Sequence, residues 1–386
     1  MTTDLFFPNT PIYGIPRPDR LYRQFAFRQQ PSEIDQGKVR DILLDYGLFL
    51  LTPAVAPAGP GRSDTLVLET TDGVKLLKRY KSNLDAAAIR HEHSILRHLA
   101  RVYFPAPRLT FTTSDDTFIQ REDRIYALFD YFDGYFQYHN YFFLPAATRQ
   151  FVAASGRALG LLHAVLKDFD PEGQNPNGFK SRQGERWREL DWFTEKLAWC
   201  KTKLPDLPNE AARELDGMMS KHSAWIESRL RELDVYLRAA DPTRLIIHGD
   251  YGPYNLFFKQ DRPVIILDFE LARLDWRLSD LANALPSFAR SRLGFNYTRM
   301  ADFLGAYQSV FPIDQQELQL LPDVWLFLTL RRVIVCWHRY CETQAQGWLD
   351  EARQKLALAH WLIDQRIRLS ELMLSLSTIS MQRHRL

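Results

Sequence analysis

One acidic segment of the chain combines residue types that could carry out phosphoryl transfer. It contains His-Gly-Asp at 248–250, Asn255 five residues after Asp250, and Asp-Phe-Glu at 268–270, which begins thirteen residues after Asn255. An aspartate can accept the proton of an attacking hydroxyl, while an asparagine oxygen and a second aspartate can bind Mg²⁺ beside nucleotide phosphates. Each of these residues alone is a common turn residue. Their joint spacing favours the chemical interpretation.

The strands around this segment would bring its polar side chains together. Leu256–Phe258 and Val264–Leu267 are apolar runs on either side of a polar turn, which is the pattern of a β-hairpin. In that hairpin Asn255 faces Leu267 or Asp268 on the neighbouring strand, about 4.8 Å away. The sequence therefore predicts an amide oxygen and a carboxylate side by side at the open end of the hairpin.

The H-G-D-x-x-x-x-N loop and the D-x-E motif resemble those of the aminoglycoside phosphotransferase and choline kinase branch of the protein-kinase-like superfamily. The resemblance implies an α+β, two-lobed protein-kinase-like fold, with a small β-rich N-lobe and a larger, mainly helical C-lobe. ATP and Mg²⁺ are the implied cofactors. By the same resemblance, Asp250 is the catalytic base, His248 supports the loop, and Asn255 and Asp268 are metal ligands.

The roles of Glu270 and Asp280 leave alternatives open. Protein kinases have Arg and Gly where this chain has Gly249 and Glu270. Glu270 is a third candidate metal ligand, which could contact the metal directly, act on it through another group, or be a surface residue after a strand. Further on, Asp280 precedes an apolar run, so we expect it to be the N-cap of a helix, from which it could also brace the catalytic loop.

A strand lysine in the first half of the chain, oriented by a helix glutamate, could bind the nucleotide phosphates. In a predicted strand, Lys78 alternates onto the same face as the apolar Val74 and Leu76, so it is expected to point inward. Glu92 falls within the apolar stripe of the next predicted helix, and a buried carboxylate requires a partner. We therefore expect Lys78 and Glu92 to form an ion pair, with Lys75 as the alternative lysine.

Two further segments are candidates for nucleotide contacts. Gly59 and Gly61 lie between the first two predicted strands, where a phosphate-covering loop belongs, although a third glycine is missing and Pro60 removes one backbone donor. Phe129 and Tyr131 lie in a stretch that resembles the hinge between the lobes, where backbone groups would meet the adenine.

The apolar pattern predicts an N-terminal arm and short helix at 1–45, an N-lobe at 46–132, and a C-lobe at 133–386 that carries the catalytic loop, the metal site and the acceptor site. The C-lobe is expected to be helical apart from Arg244–Phe269, which is predicted as strand, loop, strand, turn, strand. The N-lobe strands are predicted at Leu48–Thr52, Thr65–Glu69, Val74–Arg79, Phe118–Gln120 and Ile125–Phe129, with Thr71-Asp72-Gly73 as a hairpin turn.

Composition excludes several classes of protein. Of 386 residues, 46% are hydrophobic and 25% charged, which allows a real core and excludes wholesale disorder. Lys and Arg total 49 against 47 Asp and Glu, so neither nucleic acid nor a membrane is expected as a partner. Three cysteines and the absence of a secretory or membrane-spanning stretch favour a reducing, cytoplasmic location. The oligomeric state is not indicated.

The sequence does not identify the phosphate acceptor. The aromatic stretch Tyr131–Phe143 could cage a quaternary ammonium, stack on a sugar, or belong to the core. The sequence predicts an ATP- and Mg²⁺-dependent phosphotransferase that acts on a hydroxyl group of a small molecule, such as an amino alcohol, a sugar-like metabolite or an aminoglycoside-like compound. The alternatives are a Ser/Thr protein kinase of the same fold and a catalytically silent nucleotide-binding regulator.

Overall fold

The computed structural model describes residues 35–55, 64–81, 84–132, 145–173, 175–207, 209–258, 264–291 and 294–383. Its strands are β1 (Asp64–Thr70), β2 (Gly73–Arg79), β3 (Leu109–Thr110), β4 (Ile119–Arg121), β5 (Arg124–Asp130), β6 (Arg244–Ile247), β7 (Leu256–Phe257), β8 (Ile265–Ile266), β9 (Arg273–Trp276), β10 (Arg290–Ser291) and β11 (Gly294–Phe295). Its helices are α1 (Gln36–Asp45), α2 (Ala86–Arg101), α3 (Pro145–Leu166), α4 (Leu190–Lys203), α5 (Glu210–Ala240), α6 (Arg277–Phe288), α7 (Tyr297–Gln308), α8 (Gln315–Gln319), α9 (Leu321–Thr343), α10 (Gln346–Asp364) and α11 (Arg366–Arg383). None of the helices in these ranges has the length and apolar character needed to cross a membrane.

The first half of the chain forms an antiparallel sheet in the order β1-β2-β5-β3, with β4 also paired to β5. Thr70 pairs with Gly73, so Thr71 and Asp72 form the two-residue turn of the predicted hairpin. Gly73 has a φ of +82°, which glycine adopts without the steric cost that a side chain would bring. The hairpin prediction is confirmed.

The strand predicted at Leu48–Thr52 is wrong. In this segment Leu50 makes an isolated bridge to Thr70 and no continuous ladder follows. Pro53 has no N–H to donate to a ladder. The side-chain amide of Gln36 instead binds both the N–H of Ala54, at 2.8 Å, and its carbonyl, at 3.1 Å.

The sheet has one face covered by α1. This helix begins after Asp35, whose side chain accepts the backbone N–H of Lys38 at 3.0 Å. Its buried side chains share one core with the sheet residues Leu68, Leu77 and Leu128. The helix precedes residue 46, at which the N-lobe is predicted to start, and the predicted domain limits stay predictions.

The other face of the sheet continues into the helical part of the molecule. Helix α2 is capped by Asp85, whose carboxylate accepts the N–H of Ala88 at 2.8 Å. Ile89 of α2, Phe129 of β5 and Leu159 of α3 belong to one continuous apolar cluster. The molecule is therefore an α+β protein with a sheet-containing part and a mainly helical part, as predicted.

Candidate active site

Two short antiparallel ladders bring the catalytic loop and the Asp-Phe-Glu segment to one place. In the β6–β9 ladder Ile247 pairs with Arg273, so the loop after Ile247 and the residues before Arg273 leave the ladder at the same end. At the open end of the β7–β8 hairpin, the N–H of Leu267 donates to the carbonyl of Asn255 at 2.9 Å. The predicted hairpin register is confirmed. Strand β9 was not predicted, because its Arg and Asp residues interrupt the apolar alternation.

His248 holds the catalytic loop through both ring nitrogens. Its Nδ1 accepts the backbone N–H of Asp250 at 3.2 Å, and its Nε2 donates to the carbonyl of Leu267 at 2.7 Å. Because a backbone N–H only donates and a carbonyl only accepts, these two contacts fit the tautomer that carries its proton on Nε2. The fully buried side chain thus joins the loop to the β7–β8 hairpin, a geometry that supports the role predicted for it.

Asp280 does not cap helix α6, so the N-cap prediction is wrong. The helix begins one turn earlier, at Arg277, directly after β9. The Asp280 carboxylate accepts the backbone N–H groups of His248 and Gly249, each at 2.7 Å, and lies 3.1 Å from Nε2 of His163. Burial alone would raise the pKa of Asp280, but the contact with His163 and the loop lowers it. The expected bracing of the loop is present. The buried carboxylate binds backbone N–H groups of the catalytic loop and not those at the start of helix α6.

The carboxylate of Asp250 is held between two neighbours in the same loop. The hydroxyl of Tyr254 donates to its Oδ1 at 2.7 Å, and Nδ2 of Asn255 lies 3.2 Å from its Oδ2. Burial raises the pKa of Asp250, and the nearby negative charge of Asp268 adds to the rise. A more basic carboxylate suits a group that accepts a proton. Tyr254 was missed from the sequence, where its place beside Asn255 in the loop was the available signal.

Asn255 and Asp268 offer oxygen atoms beside Asp250. The side-chain nitrogen of Asn255 donates hydrogen bonds to the carboxylate and to the backbone carbonyl of Asp250. The side-chain oxygen of Asn255 is therefore the atom that could bind a metal. The Asp268 side chain is half exposed, and its φ of +60° is a conformation that costs energy for a non-glycine residue. Such oxygen donors suit Mg²⁺, which is usually held by one or two carboxylates together with phosphate oxygens and water. Within the described ranges, no three His, Cys, Asp or Glu side chains form a metal cluster by themselves.

Lys78 lies in a buried cluster of carboxylates that joins the sheet to the catalytic segment. Its Nζ lies 3.4 Å from Oε1 of Glu92, 2.8 Å from Oε1 of Glu270 and 3.8 Å from Oδ1 of Asp268. Burial would lower the pKa of Lys78, but the carboxylates around it raise it. Burial raises the pKa of Glu92 to about 7. The ion pair expected between Lys78 and Glu92 is therefore present, within a larger cluster than predicted.

Glu270 is not a surface residue. Its side chain is 11% exposed, and its second oxygen lies 3.3 Å from Nζ of Lys81. Asn175 also contacts this residue, because its side-chain amide donates to the Glu270 backbone carbonyl at 3.3 Å. The two lysines hold this carboxylate, and its direct contact with a metal stays a prediction. Neither Lys81 nor Asn175 carried a signal in the sequence.

Lys75 lies on the opposite face of β2 from Lys78. Its Nζ binds Asp130 at 2.8 Å and Asp72 at 2.9 Å, away from the catalytic loop. Val74 was expected to share the inward face with Lys78, but its side chain is 44% exposed because it lies at the start of the strand, beside the turn.

The remaining candidates for nucleotide contacts are only partly described. Gly59 and Gly61 lie outside the described residues. Phe129 is buried within β5, and the backbone N–H of Tyr131 donates to the carbonyl of Val74 at 3.3 Å. Contact of this stretch with adenine stays a prediction.

Comparison with known proteins identifies the family. A family model described as the phosphotransferase enzyme family matches residues 54–313. The chain belongs to this family. The homoserine kinase of Chelativorans sp. (strain BNC1) is 25% identical over 292 residues, which are 75% of this chain and 81% of that kinase.

Solved structures resemble this phosphotransferase along most of its length. An amicoumacin kinase, in complex with AMP-PNP, Ca²⁺ and Ami, superposes with a TM-score of 0.57 at 14% identity and covers 88% of this chain and 94% of its own. An ethanolamine kinase of Plasmodium vivax superposes with a TM-score of 0.58 at 11% identity and covers 91% of this chain and 95% of its own. The predicted two-lobed, protein-kinase-like fold is confirmed, and the family confirms the predicted class of enzyme.

Proposed function

We propose that this phosphotransferase transfers the γ-phosphoryl group of ATP, in the presence of Mg²⁺, to a hydroxyl group of a small amino-acid-like or amino-alcohol acceptor. The observation that carries the proposal is the meeting of Asp250, Asn255 and Asp268 at the ends of two ladders, beside the buried Lys78. These are the parts that phosphoryl transfer requires: a base, oxygen ligands for a metal, and a cation for phosphate oxygens.

Asp250 would position the acceptor hydroxyl and take its proton. Burial raises its pKa, which supports this role, and Tyr254 and Asn255 fix both of its oxygens. A base that is held in one orientation lowers the entropic cost of bringing the hydroxyl to the phosphorus. His248 and Asp280 would act through the loop and not on the acceptor, because both are fully buried.

On the nucleotide side, Lys78 would bind phosphate oxygens while Glu92 and Glu270 keep it oriented. Asn255 and Asp268 fit a Mg²⁺ ion, which would neutralise negative charge on the phosphates when bound. The half-exposed carboxylate of Asp268 lies 3.8 Å from Nζ of Lys78, so both groups can serve the same triphosphate.

Two other functions are less well supported. A protein kinase would carry Arg at the position of Gly249, where a β-carbon alone would collide with the carbonyl oxygen of Leu271 and with Nη1 of Arg273. A silent nucleotide-binding regulator has no need of a base, yet Asp250 is hydrogen-bonded in the loop beside both candidate metal ligands. The relatives that match along most of the chain are named as small-molecule kinases, which supports the same choice.

The names of the relatives also supply the first acceptors to test. Curated relatives include homoserine kinases, and solved structures of similar fold include an aminopropanol kinase and an ethanolamine kinase. All three compounds are short chains that carry a hydroxyl and an amine. We place the acceptor in this class of small hydroxylated amines and amino acids.

The function is tested by incubating the purified protein with ATP, Mg²⁺ and a panel of hydroxylated metabolites and antibiotics, with the mass gain of one phosphate as readout. We expect at least one acceptor to gain phosphate, and the gain to require both Mg²⁺ and Asp250. If ATP binds but no compound gains phosphate beyond the Asp250→Ala background, the regulator becomes the better explanation.

A further inference from the structure

The hydroxyl of Tyr254 binds the proposed base in the way that an attacking hydroxyl must. It donates to Oδ1 of Asp250 at 2.7 Å, and a general base has to lie about 2.6–3.2 Å from the oxygen whose proton it takes. An ionised carboxylate only accepts hydrogen bonds, so the phenol hydroxyl is the donor. Tyr254 therefore fills on the base a position that a substrate hydroxyl requires.

The other oxygen of the base has a donor that cannot leave without opening the loop. Nδ2 of Asn255 lies 3.2 Å from Oδ2 of Asp250 and also donates to the backbone carbonyl of Asp250 at 2.9 Å. Asn255 is buried, and its own backbone carbonyl accepts the N–H of Leu267 in the β7–β8 hairpin. Of the two donors on the carboxylate, Tyr254 is thus the one that another hydroxyl can replace.

The side chain of Tyr254 reaches the surface although its hydroxyl is bound to Asp250. The residue is 49% exposed, whereas Tyr251, Pro253 and Asn255 of the same loop are buried. A rotation of the Tyr254 side chain would move its hydroxyl away from the carboxylate while the buried residues of the loop stay in place. The hydrogen bond to the base can therefore be exchanged without unfolding the loop.

Gly252 provides the space in which the Tyr254 ring lies. The N–H of Asn255 donates to the carbonyl of Gly252 at 2.9 Å, which closes a single tight turn at Pro253–Asn255. A β-carbon added to Gly252 would lie 2.5 Å from Cε1, 2.7 Å from Cζ and 3.0 Å from the hydroxyl oxygen of Tyr254. The backbone of Gly252 is extended, with a φ of −152°, which any residue can adopt. The glycine is therefore explained by the tyrosine ring that folds back over it.

An uncovered base beside bound ATP would promote a side reaction. Water donates to a carboxylate as an alcohol does, so a water molecule on Oδ1 of Asp250 would be a second nucleophile. Its oxygen would bond to the γ-phosphorus, the bond from that phosphorus to ADP would break with its electron pair on ADP, and one proton would pass to Asp250. The products would be ADP and inorganic phosphate. Exclusion of water from the site until the acceptor is bound prevents this loss of ATP.

We propose that Tyr254 is a positioning residue that keeps water off the base, and that the acceptor hydroxyl takes over its hydrogen bond to Asp250 when the acceptor binds. The proposal rests on the proposed kinase function and adds to it the dependence of ATP use on an acceptor. After the exchange, the acceptor oxygen bonds to the γ-phosphorus, ADP leaves with the electron pair of the broken bond, and the acceptor proton passes to Asp250.

The test measures the release of inorganic phosphate from ATP and Mg²⁺ without any acceptor. Tyr254→Phe removes the hydroxyl and keeps the ring, so the rate of hydrolysis should rise about 10-fold over the wild type, the effect of losing one hydrogen bond to a charged group. The KM for ATP should stay unchanged, because the lost hydroxyl contacts the base. A gain of hydrolysis distinguishes this role from a structural one, since damage to the loop would lower the rate.

Gly252→Ala tests the same hydroxyl without removing it. The added β-carbon would push the Tyr254 ring away from Asp250, so hydrolysis should rise in this variant as well. Combined with Tyr254→Phe, Gly252→Ala should bring no further rise, because the two substitutions remove the same hydrogen bond.

Two controls assign the hydrolysis to the base. Tyr251→Phe removes a hydroxyl from the same loop that donates to the carbonyl of Ser155 in α3 at 2.6 Å, so it should leave hydrolysis unchanged. Asp250→Ala, introduced together with Tyr254→Phe, should remove the added hydrolysis. Hydrolysis that persists in this double variant would come from a route that does not use the base, and would overturn the proposal.

The outcomes separate this proposal from the function on which it rests. If the wild type phosphorylates a compound of the panel but Tyr254→Phe hydrolyses ATP no faster than the wild type, the shielding role is wrong and the kinase function stands. The same holds if mass spectrometry finds a phosphate on Tyr254 of the wild type after incubation with ATP and Mg²⁺, because the hydroxyl would then be an acceptor itself. If neither water nor any compound takes phosphate from ATP in these proteins, both proposals fail together.

Discussion

Nζ of Lys78 lies 2.8 Å from Oε1 of Glu270, closer than it lies to Glu92, the carboxylate of the neighbouring helix at 3.4 Å. Lys78 belongs to the sheet and Glu270 to the segment between β8 and β9, so this ion pair joins the two parts of the molecule. Both side chains are about one-tenth exposed. A charge pair removed from water in this way is costly to break, because the partner is left buried and unpaired.

Glu270→Gln should weaken productive use of ATP. The substitution removes the nearest negative charge from Lys78 while preserving the size of the side chain, so kcat/KM for ATP should fall about 10-fold. Lys81→Met is the matched control, because Lys81 binds the other oxygen of Glu270 and is half exposed. Its effect should stay below about 5-fold. Steady-state kinetics with ATP varied provides the measurement, and equal effects of the two substitutions would contradict the special role of Glu270.

The two lysines of β2 should differ strongly in their effect on catalysis. Lys78→Met removes the cation beside Asp268, and kcat/KM for ATP should fall on the order of 10²-fold. Lys75→Met breaks contacts with Asp130 and Asp72 on the far face, and should change the same constant by no more than about 5-fold. The reverse ranking in steady-state kinetics would reassign the lysine.

Glu92 should make stability depend on pH. Its pKa in the folded protein is about 7, above the ordinary 4.5. The folded state therefore holds this proton more tightly than the unfolded state, so the associated stability is fully present below about pH 4.5 and is lost as the pH rises through 7. The difference between these two pKa values corresponds to stability on the order of 3 kcal/mol.

Urea denaturation of the wild type and of Glu92→Gln, in the absence of nucleotide, measures this effect. The free energy of unfolding of Glu92→Gln should rise relative to the wild type between about pH 5 and pH 8, because the variant has no carboxyl group to ionise there. A difference between the two proteins that stays constant across this range would show that Glu92 keeps an ordinary pKa.

Some of the site could be predicted from the sequence because it depends on local periodicity. Strand alternation put Lys78 on the inner face, the helical stripe put Glu92 on the core side, and the lengths of two apolar runs fixed the Asn255–Leu267 register. Each of these inferences needs only a period of 2 or 3.6 residues and the positions of the turns.

Other contacts could not be predicted because they join residues far apart in the chain. Lys81 meets Glu270 across 189 positions, and His163 meets Asp280 across 117. Asp280 shows why local signals mislead here. An aspartate before an apolar run usually marks the start of a helix. Asp280 is fully buried, however, and its carboxylate binds the backbone N–H groups of the catalytic loop, because buried N–H groups require an acceptor.

Asp250→Ala should strongly reduce phosphoryl transfer while preserving nucleotide affinity. The side chain is needed for proton transfer and for positioning the acceptor, so kcat should fall by about 10²–10⁴-fold. Nucleotide binding depends on Lys78 and on the metal ligands, so the thermal shift produced by ATP with Mg²⁺ should be unchanged. Undiminished turnover in this variant would end the proposed mechanism, and a lost thermal shift would mean that Asp250 holds the nucleotide instead.

Gly249→Ala should damage both the fold and the catalytic step. Gly249 has a φ of +83°, and an added β-carbon would meet the carbonyl oxygen of Leu271 and Nη1 of Arg273. The loop must then shift, at a cost of about 1–3 kcal/mol in unfolding free energy. Because His248 and Asp250 flank this residue, a displacement of the base on the order of 1 Å should lower kcat about 10²-fold.

Gly217→Ala is the matched control, since Gly217 lies within helix α5 with open space where a β-carbon would be added. It should stabilise the protein by about 0.5–1 kcal/mol, because alanine loses less conformational freedom than glycine when a helix forms. Urea denaturation and turnover with one identified acceptor measure both variants. A Gly249→Ala protein with wild-type stability and turnover would show that the loop tolerates a side chain, and the close packing of Arg273 against it would then have no catalytic consequence.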